Sequence, residues 1–127
     1  FSHTDYYSTI GKNLYKVLIG FSRLIKREEI AKIKLFTNKV ENKFLKNGNR
    51  TINIDPGYLT LSNVFLVSCK DYFHRIYIGR GIYAENEYRY VAKHYHPWEW
   101  TYPDYRKKEY LQFFETLRSI YYEQIKK

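Results

Sequence analysis

The 127-residue chain contains no methionine and one cysteine, and neither a long apolar run nor a basic-then-apolar leader interrupts it. A single thiol, Cys69, excludes an internal disulfide. Its place at the end of the apolar run Val64 to Cys69 makes a buried small side chain the simplest expectation. A chain without disulfides suits a reducing compartment. No stretch approaches the ~20 apolar residues that a bilayer-spanning helix needs, so a cytoplasmic protein without a membrane partner is expected. Beginning at Phe1 without methionine, residues 1–127 read as a single domain that forms the larger, C-terminal part of a longer protein. Fifteen tyrosines, eight phenylalanines and two tryptophans must do the filling that methionine does elsewhere, so most of these rings are expected in the core.

Common catalytic signatures are missing too. Gly11-Lys12-Asn13 lacks the upstream glycine and the Ser/Thr of a phosphate-cradling loop, and no G-x-G-x-x-G occurs. Neither a nucleophile elbow nor a catalytic cysteine signature is present. His94 and His96 share a face of an extended segment, but no third ligand has recognisable spacing, so no metal is expected. No cofactor is indicated.

What the chain does have is positive charge, +9 in all, placed unevenly. Residues 26 to 46 hold seven Lys/Arg against three Glu, and residues 106 to 127 hold six against three, whereas residues 50 to 90 are nearly balanced. Both basic segments have helical periodicity. From Arg27 to Lys46, Ile30, Ile33, Phe36 or Thr37, Val40 and Phe44 recur at spacings of three and four, and Asn47-Gly48 supplies the stop. From about Arg106 or Lys107 to Lys126, Tyr110, Phe114, Leu117, Tyr121 and Ile125 do the same. Lys32, Lys39 and Lys43, spaced by seven and four, form one stripe that could follow a phosphate backbone, though Lys-rich helix faces also serve solubility.

The remaining segments read as strands. Leu14 to Phe21 and Val64 to Cys69 are short and β-branched. Arg50 to Ser62 reads as a hairpin turning at Pro56-Gly57, with Ile52, Ile54, Leu59 and Leu61 on a core face and Asn53, Asp55, Tyr58 and Thr60 on a polar one. A competing reading makes Asp55 a helix cap and residues 57 to 68 a helix. His74 to Ile78 and Ile82 to Tyr90 flank the three-residue loop Gly79-Arg80-Gly81, which sets Arg75 opposite Glu85 and Tyr77 opposite Tyr83, with His74, Ile76 and Ala84 facing away. The fold expected is α+β: an antiparallel or mixed sheet of about five strands packed against two long amphipathic helices.

Three functions fit this layout. The leading one is binding, with hydrolysis or transfer as further steps, of a phosphorylated small molecule or nucleotide at the polar sheet face. There Lys70, Arg75 and Arg106 would grip phosphate, Asn53, Tyr58 and Thr60 would add hydrogen bonds, and Asp55 and His74 would do acid or base work. An alternative is an RNA or acidic-partner module using Lys32, Lys39 and Lys43. A third is a scaffold in which Asp55 shapes a turn and Asp104 caps the last helix.

Five blocks also carry a family likeness: T-D-Y-Y (Thr4 to Tyr7), T-N-x-x-E (Thr37 to Glu41), N-I-D-P-G-Y-L-T-L-S (Asn53 to Ser62), K-D-Y-F-H-R-I-Y-I-G-R-G-I-Y-A-E (Lys70 to Glu85) and W-T-Y-P-D-Y-R (Trp100 to Arg106). In these the chain resembles the bacterial family known as domain of unknown function 4416, over nearly its whole length and in the same order. The resemblance implies a bacterial cytoplasmic protein, no established activity, and a further N-terminal segment that this sequence lacks. The GTP-binding label of some relatives finds no matching motif here.

Overall fold

The computed structural model describes residues 5–10 and 14–126, and Gly11-Lys12-Asn13 lies outside them. Among the described residues, seven strands and two long helices follow in the order β1 (Asp5–Ile10), β2 (Leu14–Ile19), α1 (Ile30–Lys43), β3 (Gly57–Leu59), β4 (Asn63–Ser68), β5 (Arg75–Gly79), β6 (Ile82–Val91), β7 (His94–Pro97) and α2 (Lys108–Ile125). Short 3-10 turns, Arg27–Glu29 and Pro103–Arg106, lead into the helices. β1 and β2 pair antiparallel as a two-stranded sheet. The other five strands form one sheet in the order β3-β4-β6-β5, with β7 also on β6. The fold is α+β with an antiparallel five-stranded sheet.

The chain divides into two compact units, one of Phe1–Leu24, Leu59–Asn63 and Glu87–Lys127, the other of Ile25–Tyr58 and Val64–Asn86. In the second unit α1 lies on the sheet through Ile30 and Ala31, which meet Val67 and Ile82, with Ile33, Leu35, Tyr58 and Ala84 around them. Periodicity locates this helix, but its buried stripe differs from the apolar spacing. Lys34 and Glu41 are buried, whereas Phe36 and Phe44 are exposed. The first unit has an aromatic core. Tyr88, Tyr95, Tyr110, Phe113 and Phe114 are buried, with Tyr88 stacked on Tyr95 at 5.7 Å between centroids and edge-on to Phe114 at 5.5 Å. Rings fill this core, but the expectation that most aromatics are buried does not hold: Phe21, Phe36, Phe44, Tyr72, Phe73, Tyr77, Tyr102 and Tyr122 are exposed.

Within residues 57–68, Gly57–Leu59 and Asn63–Ser68 are strands and nothing is helix, but the hairpin turns elsewhere than expected. Residues 50–56 join no strand, and the reversal falls at Leu61-Ser62, where Thr60 N–H donates to Asn63 C=O at 2.8 Å. The side-chain hydroxyl of Thr60 completes the turn by accepting from the Ser62 and Asn63 amides. The backbone upstream is satisfied in another way. Lys34 donates to the Ile54 carbonyl at 3.2 Å, Glu41 accepts the Ile54 amide at 2.6 Å, and the Pro56 carbonyl takes the Val67 amide at 3.2 Å. Pro56 itself has no donor to give a ladder. The polar face expected of Asn53, Asp55, Tyr58 and Thr60 therefore does not form as one sheet face.

The second hairpin has the register expected, Arg75 with Glu85, Ile76 with Ala84 and Tyr77 with Tyr83. Its loop is one residue shorter, because Gly79 stays paired with Ile82 after a bulge and only Arg80 and Gly81 turn. Both turn residues have positive φ, 58° and 77°, as tight reversals between right-twisted strands demand. Cys69 falls just past the end of β4 and is exposed, correcting the buried placement.

Candidate functional site

Of the polar residues singled out by sequence, the structure gathers one group. Glu85, 4% exposed, is placed on β6 opposite Arg75, and one of its oxygens accepts from Arg75 Nε and meets His74 Nε2, both at 2.8 Å. His74 was expected to face away. It precedes β5 in a turn, where strand alternation does not apply, and so it reaches the same carboxylate. The rings of Tyr72 and Phe73 stand edge-on to the imidazole at 5.2 and 4.7 Å. Arg75 also donates to the Lys70 carbonyl at 3.0 Å and to the Ser68 hydroxyl at 3.3 Å. Lys70 thus contributes its backbone to this cluster. The three ionisable side chains are spent on one another with little exposure: 8% for His74, 13% for Arg75 and 5% for Glu85. Such a cluster ties β4, the turn and the β5–β6 hairpin together.

The other expected site residues are not gathered with it. Asn53 donates to Asp55 at 3.1 Å and accepts from Arg50 at 3.0 Å in an exposed loop. The Tyr58 ring packs on Phe65 at 5.1 Å, and burial raises its hydroxyl pKa while Arg27 partly offsets the shift. Thr60 is a buried turn builder whose carbonyl accepts from the Tyr95 hydroxyl at 2.8 Å. Arg106, in the other unit, donates to the carbonyls of Trp98, Glu99 and Thr101. Asp104 does not cap α2 with its side chain. It pairs with Lys16 and Lys107, and the Lys16 hydrogen bond leads in holding its carboxyl below the ordinary value of 3.8. His94 and His96 bond to Glu115 and the Val91 carbonyl. Among the described residues no group of three or more His, Cys, Asp or Glu could hold a metal ion.

α1 presents a different kind of surface. Lys32, Lys39 and Lys43 are all exposed. At ~100° per residue they fall, with Phe36, within an arc of about 60° and over a length of about 16 Å. Phe36 is 65% exposed, in the middle of the stripe. The opposite side carries the buried Ile30, Ala31, Lys34 and Glu41. Sequence reasoning found the lysines and missed the ring, because position 36 also fits the apolar spacing. The signal available was that position 36 falls on the lysine side of the wheel.

Fold and surface together define a basic α+β domain with an aromatic-bearing cationic helix face. The chain belongs to the family described as Domain of unknown function (DUF4416), whose model matches residues 1–121. No curated protein and no solved structure matches it. Among the described residues no helix is long and apolar enough to cross a membrane.

Proposed function

We propose that this protein binds RNA through the α1 face, in the cytoplasm of a bacterium. The observation that carries the reading is the stripe of Lys32, Lys39 and Lys43, three exposed cations on one face of a rigid helix. Three ammonium groups so placed engage one phosphate backbone together, and release of condensed counterions supplies the free energy. The net charge of +9 adds long-range attraction for a polyanion. The test is RNA binding followed against salt. Affinity should fall steeply as salt rises, and a K32Q/K39Q/K43Q variant should flatten the slope by up to ~0.7 per lost single-strand contact. Salt-insensitive binding, or an unchanged triple variant, removes α1 from the account.

A second reading keeps a phosphorylated small molecule or nucleotide as ligand. The support for it is the 2.8 Å contact of His74 with Glu85, since a carboxylate-oriented imidazole beside an arginine is an arrangement used for acid–base work on phosphates. A thermal-shift screen with nucleotides tests it, because a ligand of the native state raises the melting temperature. His74→Gln separates the parts: loss of ligand binding at unchanged stability assigns His74 to the site, and unfolding assigns it to the structural cluster with Glu85. Absence of both RNA and nucleotide binding leaves a scaffold.

A further inference from the structure

Why α1 turns a phenylalanine outward while burying a lysine and a glutamate calls for an explanation. Lys34 and Glu41 occupy the buried stripe because each bonds the Ile54 backbone, at 3.2 and 2.6 Å. Phe36 takes no part in that packing. It is 65% exposed, among cations, where most of an apolar ring's surface gives nothing to the fold. Lys32 is one helical turn before it, and Lys39 and Lys43 follow on the same side.

We infer that Phe36 is a stacking platform for an unpaired base, and that the ligand class of this face is single-stranded RNA. The inference rests on the RNA-binding reading above and deepens it. A duplex offers a helix phosphates alone along its backbone, with its base faces closed by their own neighbours. A single strand offers open π-faces beside its phosphates, as the stripe offers one ring among its lysines. Stacking on an aromatic ring tolerates any base, so little sequence preference accompanies it. Glu28, exposed in the 3-10 turn before α1, bounds the cationic stripe at its N-terminal end.

The experiment is fluorescence anisotropy on the whole chain with two labelled probes: a 12-nucleotide oligouridine and a fully paired, blunt-ended RNA duplex. The variants are F36L, F36W and K32Q/K39Q/K43Q. An exposed position tolerates each, and melting temperatures check that. F36L should weaken oligouridine binding about tenfold, F36W should restore it, and neither should change duplex affinity or the salt slope. Unchanged oligouridine affinity in F36L, with the lysine variant still defective, overturns the stacking platform and leaves the phosphate contacts standing. Equal weakening of both probes by F36L overturns it as well. If the lysine variant binds both probes as the native chain does, the RNA-binding reading itself fails.

Discussion

Lys34 and Glu41, seven residues apart on α1, hold opposite sides of one residue. The lysine donates to the Ile54 carbonyl and the glutamate accepts the Ile54 amide. The pair does for an irregular segment what a neighbouring strand does for a ladder. Glu41→Ala strips the part-buried Ile54 amide of its acceptor. It should cost about 1–3 kcal/mol. Lys43→Ala, on the exposed side, should stay within ~0.5 kcal/mol. Urea unfolding of both variants decides the matter, and equal effects would deny the clamp.

Gly57 sits where a methyl group has no room. A Cβ there would overlap the Phe65 carbonyl and crowd the Leu66 side chain. Backbone cannot swing aside as a flexible side chain can, so Gly57→Ala should destabilise by about 1–3 kcal/mol. An unchanged denaturation midpoint would mean that β3 shifts freely.

Tyr88 and Tyr95 should resist alkaline titration. Burial leads in pushing both hydroxyls well above the ordinary 10.0, and Tyr105 and Glu87 add to the effect at Tyr88. A raised folded-state value means that their contribution to stability is whole below pH 10 and is lost as pH climbs toward the folded-state values. Absorbance of tyrosinate should therefore show a late step coinciding with unfolding. Smooth titration of every tyrosine near pH 10 in a folded chain would contradict this.

Asp104 makes the opposite case. Its lowered value, owed first to Lys16, gives stability that is present above the ordinary 3.8 and lost as pH falls through the folded-state value. Lys16→Met should move the Asp104 carboxyl resonance, followed by NMR, back toward the ordinary midpoint. No movement would leave Lys107 as the partner that matters.

Trp98 and Trp100 stack at 5.3 Å with planes 10° apart, under the Arg89 guanidinium 4.3 Å from the Trp98 ring. Two indoles so close should couple as a pair in the far-ultraviolet dichroism. Trp100→Phe should abolish that signal, and its persistence would rule the stack out.

How much of this was legible in advance follows from where each residue finds its partners. α1 and the β5–β6 hairpin announce themselves because their signals are local: a three-four spacing, and glycines where φ must be positive. Arg75 and Glu85 could be paired from register alone. Ile52 and Ile54 misled, since an alternation of apolar residues says nothing about which groups take the backbone bonds. Those bonds come from Lys34 and Glu41, more than ten residues upstream. Charged residues inside an apolar spacing were the hint that went unused. His74 was misplaced for a related reason, because alternation holds within a strand and His74 stands just before one. Of the expected phosphate grip, Arg75 and Arg106 turn out to hold backbone carbonyls of their own units.

The Gln124 side chain donates to the Ser22 carbonyl at 2.7 Å across 102 residues of sequence, and Leu117 lies where Gly20 has no side chain. During synthesis the ribosome delivers the chain from its N-terminal side, a few to some tens of residues each second, and compact parts fold as they emerge. Every residue of Ile25–Tyr58 and Val64–Asn86 has left the exit tunnel while α2 is still being made or enclosed. β2 is made before the helix that closes over Gly20. Leu117 and Gln124 can thus join Gly20 and Ser22 only after the segments Ile25–Tyr58 and Val64–Asn86 have been made.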